Sequence, residues 1–182
     1  EHRIHMGESF ERLSRIASTN PFAWSQNALS AEIISTPSPD NRYIGYPYTK
    51  YMNANVDVDQ SAALIMTTED TARSLGIPGD KWVYPIGGAD FNDIWYVTRR
   101  PCLHKSPAIC HASRIALQQA NLTLDEISVF NIYSCFPSAF EIARREIGIP
   151  DDDPRDLSVT GGLPFFGGPG NNYVMHAIAT VV

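Results

Sequence analysis

The chain has 182 residues with 43% hydrophobic and 10% aromatic content, enough apolar surface for one sizeable core, so one domain with a loop extension is the default. Fourteen basic residues against twenty acidic ones give a formal charge of -6, and Lys and Arg are scattered rather than clustered, which argues against nucleic acid as a partner. Cys102, Cys110 and Cys135 are too few and too odd in number for a disulfide framework, no apolar run approaches the roughly 18 residues that span a bilayer, and no positive-then-apolar leader opens the sequence, so a cytoplasmic protein without a membrane span is expected.

In chain order, Phe10, Leu13, Ile16 and Ala17 recur at helical spacing, and Asn20-Pro21 ends that helix. The stretch to about Asn55 is different: it holds Pro21, Pro37, Pro39 and Pro47 and a set of Trp and Tyr rings among polar residues, with one short helix around residues 28–34. An ordered excursion of that length suits a lid or a binding segment. The apolar run Ala62-Ala63-Leu64-Ile65-Met66 predicts a strand buried on both faces. Thr68 then predicts a helix cap, with Glu69 and Asp70 in the first turn and Gly76 past the last. Residues 81–86 form a second strand candidate, and Ser106-Pro107 predicts a helix running to about Ala120. Val129-Phe130-Asn131-Ile132-Tyr133 is another buried-strand signature, followed by a helix opened at Pro137-Ser138 and closed by Gly148. Strand and helix alternation with short joins predicts a mostly parallel sheet covered by helices, an α/β fold. The chain opens on Glu1 and closes on Ala177-Ile178-Ala179-Thr180-Val181-Val182 without a helix stop signal, so it reads as part of a larger protein.

Three segments carry chemistry-bearing residues. Asn131-Ile132-Tyr133-Ser134-Cys135-Phe136-Pro137 places a strand end at a helix start, where ligands bind in open α/β sheets and where a thiolate gains from the helix dipole; with no His or Lys beside it in sequence, the Cys135 sulfur reads first as a small buried hydrophobe at a position that lines a site. The run from 160 to 173, with five glycines, allows close approach of backbone to a ligand and leads into an apolar helix bearing His176. It matches neither a P-loop nor a dinucleotide fingerprint. Cys102, His104, Cys110 and His111 lie close together but not at zinc-site spacing, so no metal is expected.

Taken in order, Asn20-Pro21 after a helix, Tyr46-Pro47-Tyr48-Thr49-Lys50, Asp59-Gln60-Ser61-Ala62-Ala63, Tyr133-Ser134-Cys135-Phe136 and the glycine run resemble the thiolase superfamily. Within it they are similar to sterol-carrier-type and thiolase-like acetyl-CoA acetyltransferase proteins, over essentially the whole chain. The resemblance implies Claisen-type acyl transfer between CoA thioesters on a five-layered α/β/α/β/α fold made of two similar halves. It implies that residues 1–55 match the end of the N-terminal half plus the loop region over the active site, and that residues 56–182 match the last strand of that half and a truncated C-terminal domain. The family's nucleophilic cysteine would then lie upstream, and the isolated chain would be inactive. A CoA thioester as substrate, no permanently bound cofactor and a homo-oligomer follow from the same resemblance.

Two positions depart from the family pattern. Thiolases place Gly-His-Pro where this chain has Gly167-Gly168-Pro169, and sterol-carrier-type relatives place His-Asp-Cys-Phe where it has Tyr133-Ser134-Cys135-Phe136. Glycine cannot accept a proton, and losing such a base or donor costs a factor of about 100 or more in rate. The expected site residues are Tyr133, Ser134, Cys135, Gly168, Asn171 and Asn172, with His176 as a displaced base and Asn171 or Asn172 as the oxyanion donor. A degenerate thiolase fold that binds an acyl-CoA or lipid, or scaffolds a partner, without catalysis is the alternative, and an unrelated nucleotide-binding α/β domain a third.

Overall fold

A computed structural model describes residues 2–182. Helix α1 (His2–Thr19) buries Met6, Phe10, Leu13 and Ala17, spaced to fall on one stripe, and it is the element around which the core is built. Phe10 meets Phe140 edge to face with ring centroids 6.1 Å apart. Ile34, Met52, Ile132, Leu163, Phe165, Phe166 and Tyr173 complete the apolar cluster. The core therefore draws on both sides of the boundary expected at residue 55.

The expected excursion after Asn20 is ordered, and its polar side chains explain why. Helix α2 (Ala31–Ser35) crosses α1 at Gly7, where a Cβ would lie 2.6 Å from the Ala31 carbonyl oxygen. Ser30 caps its start, and the fully buried Asn41 amide donates to the carbonyls of Ile33, Ile34 and Thr36 at its end while accepting from the Tyr51 N–H. Thr49 adds a hydroxyl donor to Ile34 at 2.6 Å. Strands β1 (Tyr43–Gly45) and β2 (Tyr48–Thr49) pair antiparallel beside it.

Local caps form where expected. Thr68 caps α3 (Glu69–Ser74), Ser106 with Pro107 opens α4 (Pro107–Ala120), and Gly148 at φ 92° closes α5 (Pro137–Ile147). The glycine run does more than turn: it contains helix α6 (Gly162–Phe165), then a 3-10 turn (Gly170–Asn172) leading into α7 (Tyr173–Val181).

The expected parallel sheet is not formed among the described residues, where the only sheet is the two-stranded β1-β2 pair. Residues 62–66, 81–86 and 129–133 are not paired as strands, and Ile65 and Met66 are 86% and 91% exposed. The reason is that a run apolar on both faces becomes a strand only when neighbours take up its amides and cover its faces, and no described segment does so. Between residues 56 and 131 only Ala72 and Ser106 are buried.

Candidate functional site

The site forms where the end of residues 129–136 meets the glycine run. Ile132 points inward, with its N–H donating to Leu157, Tyr133 points out at 49% exposure, and Ser134 points back in, the alternation of extended backbone. Residues 54 and 55 bridge the two pieces. The Ala54 N–H donates to the Cys135 carbonyl, the Asn55 N–H to the Leu163 carbonyl, and the Gly168 N–H to the Asn55 carbonyl at 2.7 Å. Cys135, Leu163 and Gly168 are thus tied through one short connection.

The glycine conformations are required by packing. At Gly161, with φ 111°, a Cβ would lie 2.4 Å from the Ala17 Cβ, so the run rests directly on the end of α1. Ser158 Oγ accepts from the N–H groups of Thr160, Gly161 and Gly162. Those amides hold the turn together rather than facing a ligand. Ser134 behaves in the same way: it is fully buried, and its Oγ accepts from the Leu163 N–H at 3.1 Å.

The remaining expected residues divide into two groups. Tyr133 packs edge to face on Tyr173 at 5.8 Å, beside Cys135 and close to the Tyr48–Phe136 stack. His176 lies against Phe166 at 5.2 Å, with the Asn172 amide nitrogen 3.4 Å from its Nε2. It lines a cavity of about 590 Å³ with Ile16, Phe22, Ala62, Ala63 and Phe166, and that lining holds none of Tyr133, Cys135 or Gly168. Asn171 is exposed on the 3-10 turn. Gly168 is buried, and a Cβ there would meet Asn55 O at 3.2 Å and Leu163 at 3.4 Å.

Burial sets the protonation states. It pushes the half-buried Cys135 thiol up from its ordinary value, against two backbone hydrogen bonds that pull it down. Burial also raises the Tyr133 phenol, helped by Cys135 and Tyr173, and lowers the His176 imidazole. At neutral pH the site therefore presents a thiol, a phenol and an uncharged imidazole. The sequence reading did not place Ala54, Asn55 or Gln60 at the site, although Gln60 lies in the Asp59–Ala63 segment that carries the resemblance, because their parts depend on contacts far along the chain. Among the described residues no three His, Cys, Asp or Glu side chains gather as metal ligands, and no helix is long and apolar enough to cross a membrane.

No protein-family model and no curated protein matches the chain. Solved structures do. The monomeric SCP2-thiolase-like protein type 1 from Mycobacterium smegmatis is 39% identical with a TM-score of 0.88, over 98% of this chain and 39% of that one. The Ltp2-ChsH2(DUF35) aldolase is 18% identical with a TM-score of 0.72, over 97% of this chain and 49% of that one, a likeness of fold alone. The fold is thus the α/β fold of thiolase-like proteins. Within that class the chain is similar to the SCP2-thiolase-like proteins of the thiolase superfamily. It spans 39% of the length of the first of these relatives and 49% of the second.

Proposed function

We propose that this chain supplies one wall of an acyl-CoA site in a thiolase-like acyltransferase, where carbon–carbon bonds next to a thioester carbonyl are formed or broken in Claisen fashion. The observation that carries the reading is the bridge through residues 54 and 55, which ties Cys135 and Gly168 together at the two motifs that resemble the family. Tyr133 serves as a neutral hydrogen-bond donor to a developing oxyanion or enolate, a role that its protonated phenol allows. Cys135, kept as a thiol, can give a proton but is a poor nucleophile at neutral pH. The nucleophile that carries the acyl group comes from outside these residues, so this chain alone does not turn over. His176 acts as a base only if a substrate atom reaches it through the Phe22 cavity, because Asn172 faces its Nε2. Protein beyond these residues completes the site, and the intact protein is a homo-oligomer on this reading.

Gly168 favours a second reading, an acyl-CoA or lipid carrier without catalysis, since no imidazole stands where the family pattern has one. Acetoacetyl-CoA cleavage by the intact protein, followed with covalent acetyl labelling, separates the two. Turnover with label sinks the carrier reading. Acetyl-CoA binding with neither turnover nor label sinks the acyltransferase reading.

A further inference from the structure

Gln60 lies outside the two segments that meet at the site, yet it joins two loops. Its Nε2 donates to the Phe22 carbonyl at 2.9 Å and the Phe166 carbonyl at 3.0 Å. Both amide hydrogens are then placed, and the reversed amide would set its oxygen against two carbonyl oxygens, so the orientation is fixed. Its Oε1 is buried with no hydrogen-bond partner among the described residues. That oxygen sits 2.3 Å from where a Cβ on Gly167 would lie, and Gly167 has φ 127°, so the only group Gly167 can turn toward it is a Cα–H. A buried acceptor without a strong partner is costly, and an apolar side chain would avoid it. The same amide, however, supplies the two donors that hold the loop of residues 22–25 to the glycine turn. Beside it run the Trp24 N–H to Phe166 and Ser25 N–H to Phe165 bonds, and two residues beyond Phe166 is the Gly168 N–H to Asn55 bond.

We propose that Gln60 is a positioning residue of the candidate site. Its amide nitrogen clamps the 22–25 loop to the turn and so holds the backbone that carries Gly168. The part played in ligand affinity rests on the acyl-CoA reading; the clamp does not.

The test uses the full chain with two variants, Gln60→Met, which keeps the volume and removes both donors, and Gln60→Lys, which restores a donor without the acceptor. Amide hydrogen exchange is read at Gly168 and along α5, and acetyl-CoA is titrated into each protein. In Gln60→Met the Gly168 amide exchanges about tenfold faster while α5 amides keep their rates, as expected for local opening, and acetyl-CoA affinity falls about tenfold. Gln60→Lys recovers most of both losses. Unchanged exchange at Gly168, equal acceleration along α5, or a Lys variant as fast as the Met variant overturns the proposal. If the unaltered chain binds no acetyl-CoA, the acyl-CoA reading fails, and the exchange rates still decide the clamp.

Discussion

Cys135 stands beside a helix start, where a dipole favours thiolate, yet the loss of hydration on burial outweighs it and raises the thiol. Its iodoacetamide alkylation is therefore slow at pH 7 and climbs only above the ordinary thiol value of 9.0; half-maximal reactivity well below that value would contradict the assignment. Two adjacent glycines behave differently. Gly167→Ala meets both the Gln60 oxygen and a positive φ, and costs on the order of 1–3 kcal/mol or more in urea unfolding. Gly168 has no positive φ and only tight contacts at its Cβ, which a shift of a few tenths of an ångström relieves, so Gly168→His is expected to fold, with the buried ring costing about 1–3 kcal/mol. If the intact protein is an acyltransferase, that variant speeds turnover; if it is a carrier, it does not. The absence of an imidazole at 168 was legible from the sequence, whereas the unequal tolerance of the two glycines was not, because it depends on Gln60 and on Asn55.

Among the elements, the excursion and the loop after α5 are held by buried polar groups. Asn41→Ala leaves the Ile33 and Thr36 carbonyls and the Tyr51 N–H without this partner, while Ile34 keeps its Thr49 bond, and should destabilise the chain by about 1–3 kcal/mol in urea. Asp153 is held by the Arg155 guanidinium, which pulls its carboxyl from 3.8 to about 2. A depressed carboxyl stabilises the fold above its unfolded value, so this contribution is whole at neutral pH and is lost as pH falls from about 4 towards 2. Asp153→Asn flattens the acid unfolding profile in that window, and an unchanged profile would count against the pairing. Caps such as Ser106-Pro107, Thr68 and Gly148 could be read directly because a cap depends on a few neighbouring residues. Helix α6 inside the glycine run could not, since Ser158 and Ser134 collect its amides from elsewhere. The same holds for Ser134 itself, expected at the site surface and found under it.

At the scale of the molecule, α1, the excursion and residues 132–177 make the core, while residues 56–131 meet it through partly buried side chains such as Ile109, Leu124 and Phe130 and leave their apolar runs largely uncovered. Those runs read in the sequence as strands of a buried sheet, and none of them is a strand among the described residues, because a ladder is a property of two segments and composition reports only one. The thiolase likeness was legible from the order of its motifs, and the structural match bears it out. The most direct test of the acyl-CoA site is cross-linking of the intact protein with a photoreactive acyl-CoA, mapped by peptide mass spectrometry. Label that excess CoA displaces, and that falls on residues 54–55, 133–136 and 162–172, is the expected result. Label that CoA does not displace, or that lies only on residues 81–97, would contradict the placement of the site.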